Sequence, residues 1–226
     1  MATFVLVHGA FRGGWGWARV RPLLRAAGHE VHAPSLIGAG EHAALLDRVT
    51  GLDVWVDQVA GLIEAEDLRD VALVGHSQGG LVTAGVAARL PERIAVLVHL
   101  DAAVPLPRER AVDLGGAPSA LPARDAVVAP TPVGAQGGYD AATAAWVNAR
   151  LTPSPVAPAL DPVPGVPASV SQAFVFCSGT PAGYPSTQVR ARLDAQGTPY
   201  LLIDAAHDAP LCAPELVTSV LTDCVA

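Results

Sequence analysis

The hydrophobic residues of the chain form short continuous runs that alternate with longer segments of helical spacing. Residues 3–8 contain the run Phe-Val-Leu-Val, and residues 94–100 contain another. Runs of this length are typical of strands that are covered on both faces, as in a parallel sheet between two layers of helices. The same pattern predicts strands at residues 29–34, 71–74, 173–177 and 200–204.

Helices are predicted between these strands, which makes the chain an α/β protein. Residues 52–67 carry apolar side chains at helical spacing, Gly28 follows one predicted helix, and Pro91 stops another. Three strand–helix alternations within about one hundred residues predict a mostly parallel sheet flanked by helices. The predicted helices are residues 15–27, 52–67, 78–90 and 186–196 and a last one from about residue 213, whereas 35–51 is predicted to be a loop.

A proline-rich segment interrupts this alternation. Twelve of the twenty prolines lie between Pro105 and Pro167, too many for a continuous helix or a central strand. Only residues 140–151 are predicted to be helical there, with Asp140 as the N-cap. We therefore expect one domain over residues 1–226, with a cap inserted at about residues 105–170.

Composition excludes several classes of function. The chain has 51% hydrophobic and 15% charged residues, which argues against disorder, and no apolar run reaches the roughly 18 residues of a membrane span. A net charge of −7 without a basic cluster predicts no nucleic-acid or membrane partner. The start of the chain shows no basic leader, and three cysteines without metal-like spacing suit reduced thiols. We expect a cytoplasmic monomer or homodimer without metal or cofactor.

The segment Val-Ala-Leu-Val-Gly-His-Ser-Gln-Gly-Gly at residues 71–80 is typical of a nucleophile elbow. A buried strand leads into a tight turn with one serine, and a helix follows at once. Glycines at 75, 79 and 80 occupy positions where a side chain would clash. The pentapeptide G-x-S-x-G alone also occurs by chance, so the strand before it and the helix after it are what favour Ser77 as a nucleophile.

A serine hydroxyl needs a neighbouring base, and the base needs a group that orients it. Of the seven histidines, only His207 falls in a loop after the last predicted strand, where a base facing the elbow must lie. The alternative is a surface-loop histidine beside Asp208. The oxyanion formed in acyl transfer needs two backbone N–H groups. Gln78 and Ala10 are the predicted donors, with Phe11 close behind; the glycines around them could also be simple turn formers.

Several separated motifs resemble one family. They are Phe-Val-Leu-Val-His-Gly-Ala at 4–10 with Gly-Gly-Trp at 13–15, Gly-Ala-Gly-Glu at 38–41, Gly-His-Ser-Gln-Gly at 75–79 and His-Asp-Ala at 207–209. Together they resemble the α/β-hydrolase superfamily, and within it the small esterases related to plant methylesterases and hydroxynitrile lyases. The resemblance spans nearly the whole chain and is weakest in the proline-rich segment. It implies an eight-stranded, mostly parallel sheet, here without the first two antiparallel strands.

The family's usual acid is missing. It commonly comes from the loop after the strand that is here residues 173–177, but residues 178–186 contain no carboxylate. Asp101, at the end of the strand after the elbow helix, occupies the alternative position that some members use. It keeps the chain order Ser, Asp, His. Asp204 and Asp208 are rivals near His207 in sequence, more typical of a strand-end cap and a local loop partner, and Asp101 could itself only cap local backbone.

These residues predict a serine hydrolase that cleaves a carboxylic ester of a small, apolar substrate through an acyl-enzyme. Related hydroxynitrile lyases usually carry a lysine after the catalytic histidine. Here Asp208 occupies that place, and an anion there would oppose a cyanide-like product. Two alternatives stay open: a cyclase, thioesterase or lactone-acting enzyme of secondary metabolism with the same triad, and a non-catalytic small-molecule binder on the same fold.

Overall fold

A six-stranded sheet in which every neighbouring pair is parallel forms the centre of the protein, in the order β2-β1-β3-β4-β7-β8. The computed structural model describes residues 1–114 and 118–225. The number of strands is that of the expected eight without the first two. The strands of this sheet are β1 (Thr3–Val7), β2 (Glu30–His32), β3 (Val71–His76), β4 (Ile94–Leu100), β7 (Ser171–Cys177) and β8 (Leu201–Ile203).

Helices cover both faces of the sheet because alternate residues of each buried strand point to opposite sides. In β1, Val5 and Val7 belong to one apolar cluster, and Phe4 and Leu6 belong to the other. The helices are α1 (Val20–Ala26), α2 (Leu52–Ala65), α3 (Gly79–Arg89), α4 (Ala141–Asn148), α5 (Ala157–Leu160), α6 (Pro185–Gln196), α7 (Ala209–Cys212) and α8 (Pro214–Asp223). Helices α2, α3 and α6 pack on the Val5 side, and α1 and α8 on the Phe4 side.

The helix predicted at residues 15–27 is wrong in its first half. The structure has a 3₁₀ turn at Gly14–Trp17 and then α1 from Val20. The reason is a close backbone contact: a Cβ on Gly14 would lie 2.2 Å from the carbonyl oxygen of Ala33. The Gly14 N–H also donates to Ser35 Oγ at 2.8 Å. Tertiary contacts therefore fix a tight turn where residue spacing alone predicted a helix. The loop predicted at 35–51 likewise contains 3₁₀ helix at Gly40–Arg48.

The proline-rich segment contains short elements only. Strands β5 (Val127–Val128) and β6 (Ser154–Pro155) form a small antiparallel pair that the sequence did not predict. The predicted helix at 140–151 is found as α4, and its N-cap is confirmed, since the Asp140 carboxylate accepts the Thr143 N–H at 2.7 Å. Residues 115–117 of this segment lie outside the described ranges. Among the described helices, none is both long and apolar enough to cross a bilayer.

Candidate active site

Ser77 lies at the carboxyl end of β3, in a turn that only small neighbours permit. Its backbone φ is +53°, a left-handed value that a non-glycine residue rarely adopts. A Cβ on Gly79 would lie 2.6 Å from the Val7 carbonyl oxygen, and one on Gly80 would lie 2.4 Å from that of Ala103. Helix α3 begins at Gly79. The strained turn therefore holds the Ser77 hydroxyl beside the positive end of α3.

His207 joins Ser77 to Asp101. Its Nε2 lies 3.0 Å from Ser77 Oγ, and its Nδ1 lies 2.5 Å from Asp101 Oδ2. The three residues come from loops after β3, β4 and β8, whose carboxyl ends share one edge of the sheet. The structure thus brings together the serine, histidine and aspartate that the sequence singled out, in the hydrogen-bonded order that nucleophilic catalysis requires.

Asp101 is buried and held by several donors. It is 1% exposed, and its backbone φ is +45°. Besides His207, the Thr180 hydroxyl donates to its Oδ2 at 2.5 Å, and the Cys177 N–H donates to its Oδ1 at 3.4 Å. Burial alone would raise the pKa of Asp101, but the hydrogen bonds and charge of its neighbours outweigh burial and hold that pKa below its usual value. The carboxylate stays ionised and can orient the imidazole.

A second histidine supports the loop of the first. His76 Nε2 donates to the carbonyl oxygen of His207 at 2.8 Å. Burial lowers the pKa of His76 to about 4, so at neutral pH its ring is uncharged and donates through one nitrogen only.

The two carboxylates that were alternatives to Asp101 bind other partners. Asp204 accepts from the Ser178 hydroxyl at 3.1 Å, whereas Asp208 binds residues far away in the chain.

The backbone N–H groups of Ala10 and Gln78 are not donors in any hydrogen bond between backbone groups of the described turns and loops. Gln78 follows the serine, and Ala10 lies in the turn after β1. That turn approaches Ser77 closely, because a Cβ on Gly9 would lie 2.8 Å from Ser77 Cβ. Ala10 and Gln78, the residues predicted to supply the oxyanion donors, line one cavity together with Ser77.

Cavities open on two sides of the serine and histidine. One, of about 280 Å³, is lined by small apolar residues that include Leu81 and Val112. The other, of about 180 Å³, is lined by Phe11 and Tyr139 among others. Tyr184 lines both, and its ring meets the His207 ring edge-on at 4.6 Å between centroids. An ester bound across Ser77 would place one part in each cavity.

A sequence model of the alpha/beta hydrolase family matches residues 4–219. The chain belongs to this family. The match covers nearly the whole sheet and every residue of the site described above, from Ala10 to His207.

The hydrolase is also similar to individual esterases over part of its length. It is 50% identical over 105 residues to the carbendazim hydrolyzing esterase of a Nocardioides species; the aligned part is 46% of this chain and 43% of that protein. It is 37% identical over 108 residues to methyl jasmonate esterase 1 of Vitis vinifera, 46% of this chain and 40% of that protein. The alignments thus span less than half the length of these curated relatives.

Solved structures share the fold of this hydrolase along its full length. A methylesterase from Arabidopsis has a TM-score of 0.81 at 23% identity and covers 100% of this chain and 99% of its own. Polyneuridine aldehyde esterase has a TM-score of 0.79 at 22% identity, with 100% of both chains covered. At this level of identity the likeness establishes the architecture alone.

Sequence reasoning missed several residues of the hydrolase site. His76 is the last residue of β3 and belongs to the Gly-His-Ser-Gln-Gly motif, and Thr180 lies in the loop after β7, which contains no carboxylate. Position at the carboxyl end of a strand was the available signal, but their partners become visible only in three dimensions. Among residues 1–114 and 118–225, no three His, Cys, Asp or Glu side chains gather as metal ligands would.

Proposed function

We propose that this hydrolase is a carboxylesterase that works through a serine acyl-enzyme. Ser77 is the nucleophile, His207 the general base and acid, and Asp101 the carboxylate that orients it. The observation that carries the proposal is the continuous path of hydrogen bonds from Ser77 Oγ through His207 to Asp101. The esterase names of the relatives agree with it.

Each step follows from the placement of these groups. His207 Nε2 takes the hydroxyl proton as Ser77 Oγ attacks the ester carbonyl carbon. The oxyanion that forms is bound by the N–H groups of Ala10 and Gln78, where one such donor is worth on the order of 10²–10³ in turnover. His207 then gives its proton to the departing alcohol. A water molecule, deprotonated by His207, attacks the acyl-enzyme, and the carboxylic acid leaves as Ser77 regains its proton.

The proposed substrate is an ester of a small, apolar acid or alcohol. The cavity of about 280 Å³ is lined by Leu81, Ala103, Ala111, Val112 and Ala159. Side chains of this kind favour aliphatic groups, and the titratable residues that also line the cavity are Asp101, His207 and Tyr184. We propose that the proline-rich segment acts as the cap over this site, since Ala159 belongs to it.

The proposal is tested with a serine-directed phosphonate and p-nitrophenyl butyrate. The protein should take up one phosphonate at Ser77 and lose hydrolysis at the same rate, and Ser77→Ala should neither label nor hydrolyse. Protein that binds ligands without labelling would instead support a non-catalytic binder. Labelling without hydrolysis of simple esters would support the cyclase, thioesterase or lactone-acting alternative, because those reactions use the same acyl-enzyme.

We also propose that the protein acts on a small-molecule substrate, has no nucleic-acid partner and is a monomer or homodimer. A cytoplasmic location is proposed because Cys177, Cys212 and Cys224 are all free thiols, as suits a reducing compartment.

A further inference from the structure

A buried ion pair joins two loops of the site that are far apart in the chain. Arg12 lies in the turn after β1, and Asp208 directly follows His207. The Arg12 Nη2 donates to Asp208 Oδ2, and the two side chains are only 10% and 14% exposed. A charged pair so far removed from water is not a chance surface contact, since desolvation of both groups must be offset by their mutual attraction.

Tyr139 of the proline-rich segment binds the same carboxylate oxygen. Its hydroxyl donates to Asp208 Oδ2. The residue is 6% exposed, and it packs in an apolar cluster with Val147 and Leu211. Asp208 therefore receives donors from two other segments, the turn after β1 and the proline-rich segment.

The charges of this cluster are well defined. Burial alone would raise the pKa of Asp208, but the charge of Arg12 outweighs burial and holds that pKa below its usual value. Burial and the neighbouring Asp208 raise the pKa of Tyr139, so its hydroxyl remains protonated and donates. An anion, a cation and a neutral donor thus meet with no net charge.

We propose that Arg12, Asp208 and Tyr139 are positioning residues that fix the distance between the Ala10 oxyanion donor and the His207 imidazole. This inference rests on the proposed function. Ala10 lies two residues before Arg12, and His207 lies one residue before Asp208, so the ion pair joins the two segments that carry these groups.

Other contacts hold each loop separately. The Phe11 carbonyl oxygen accepts the Thr152 N–H at 3.1 Å, and the His207 carbonyl oxygen accepts from His76 at 2.8 Å. The Arg12–Asp208 pair is the described side-chain contact that joins the turn after β1 directly to the His207 loop. A displacement of 1 Å between reacting groups can cost on the order of 10² in rate, so loss of this contact should affect turnover more than binding.

The first test removes one hydroxyl. Tyr139→Phe should lower kcat about tenfold with KM changed less than about twofold, because alignment is lost and the cavity keeps its shape. The rate of phosphonate labelling at Ser77 should fall by the same factor. Tyr200→Phe is the matched control: its hydroxyl donates to Asp194 at the surface, and it should leave both rates unchanged. Equal rates in wild type and Tyr139→Phe, with the arginine variants below also at wild-type rates, overturn the inference.

The second test removes the charges. Arg12→Gln should lower kcat by on the order of 10², and Arg12→Lys should restore part of the loss; Arg89→Gln, which breaks an exposed pair with Asp57, is the control. A single change at either residue leaves the other charge without its counter-ion and destabilises the fold. The double variant Arg12→Met/Asp208→Leu avoids this. It should fold and still show the lowered kcat, and wild-type kcat in the folded double variant overturns the inference.

A readout without substrate separates this inference from the proposed function. The proton on His207 Nδ1, bonded to Asp101, gives a downfield ¹H NMR resonance that is assigned by its loss in His207→Gln. In the folded double variant this resonance should shift or broaden, and an unchanged resonance counts against positioning. If wild type neither labels nor hydrolyses, the proposed function fails, and the NMR result alone then decides the role of Arg12 and Asp208.

Discussion

The carboxylate of Asp101 contacts His207 across the end of an intervening strand, with 2.5 Å between Oδ2 and Nδ1. Asp101 follows β4 and His207 follows β8, and β7 lies between them in the sheet. The loop after β7 contributes Thr180, whose hydroxyl donates to the same oxygen. In this chain, the loop from which the family commonly takes its acid thus supplies a hydrogen-bond donor instead. The acid that accepts this bond is Asp101, which follows the neighbouring strand β4.

Replacement of this carboxylate tests its role. Asp101→Asn should lower kcat for p-nitrophenyl butyrate by about 10⁴, because an amide can stabilise the wrong imidazole tautomer and carries no charge for the imidazolium. Asp204→Asn is the matched control, since Asp204 accepts from the exposed Ser178 hydroxyl and has no contact with His207 among the described hydrogen bonds. A large loss in the control and a small one in Asp101→Asn would move the assignment to Asp204.

A methyl group on Gly9 should disable the nucleophile without touching it chemically. The added Cβ would lie 2.8 Å from Ser77 Cβ and 3.3 Å from its Oγ. We expect Gly9→Ala to lower kcat by on the order of 10². Gly61→Ala in α2 is the control, because its Cβ meets nothing within 4 Å, and it should stabilise the fold by up to about 1 kcal/mol. Full activity in Gly9→Ala would mean that the turn accommodates the added methyl group without displacing Ser77.

Tyr184 should set the preference for acyl chain length. It lines both cavities and is 39% exposed, so Tyr184→Ala should join them into one. The ratio of kcat/KM for p-nitrophenyl octanoate to that for the butyrate should rise about tenfold. Tyr184→Phe keeps the ring and should keep the wild-type ratio. The same ratio in all three proteins would show that the ring does not separate the cavities.

Buried neutral histidines should make the fold sensitive to acid. Burial lowers the pKa of His8, His76 and His99 to about 4 each, whereas an unfolded histidine titrates near 6.5. Between these two pKa values the unfolded chain binds protons that the folded chain does not bind. The free energy of unfolding therefore falls as pH drops from about 6.5 to about 4. Each residue contributes up to about 3 kcal/mol across this window.

His99 is the practical reporter of this effect because it lies in β4, against Phe174 and away from the reacting groups. His99→Leu should reduce the slope of unfolding free energy by about 1.4 kcal/mol per pH unit inside the window, measured by urea unfolding at several pH values. Phe174→Leu disturbs the same packing without a titrating group and should shift stability equally at every pH. A wild-type slope in His99→Leu would contradict the assignment.

The sequence predicted most strands of the sheet, and it indicated Ser77, His207 and Asp101 as site residues. Each prediction had an identifiable reason. Continuous apolar runs indicated the strands, and a glycine-rich motif indicated Ser77. His207 is the one histidine of the sequence that follows the last predicted strand. Asp101 could be proposed because it follows the strand after the elbow helix, the alternative acid position that the family resemblance implies. The acid assignment still had to be weighed against Asp204 and Asp208, because proximity along the chain says little about distance across a sheet edge.

The remaining features depend on contacts that periodicity does not encode. The 3₁₀ turn at Gly14–Trp17 is held by the backbone of Ala33, and β5 pairs with β6 over two residues only. Asp208 was considered a local loop partner, yet its donors are Arg12 and Tyr139. No pattern in the sequence reports which arginine and which tyrosine fold back to one carboxylate.

The proline-rich segment, which we propose as the cap, is attached to the turn after β1 partly through peptide groups, as in the bond from the Thr152 N–H to the Phe11 carbonyl. A peptide group is the same in every residue except proline, which lacks the N–H. Side chains there can therefore be exchanged without loosening this anchor. New substrate ranges can be sought by diversifying this segment at positions other than Tyr139, which leaves the reacting groups unchanged.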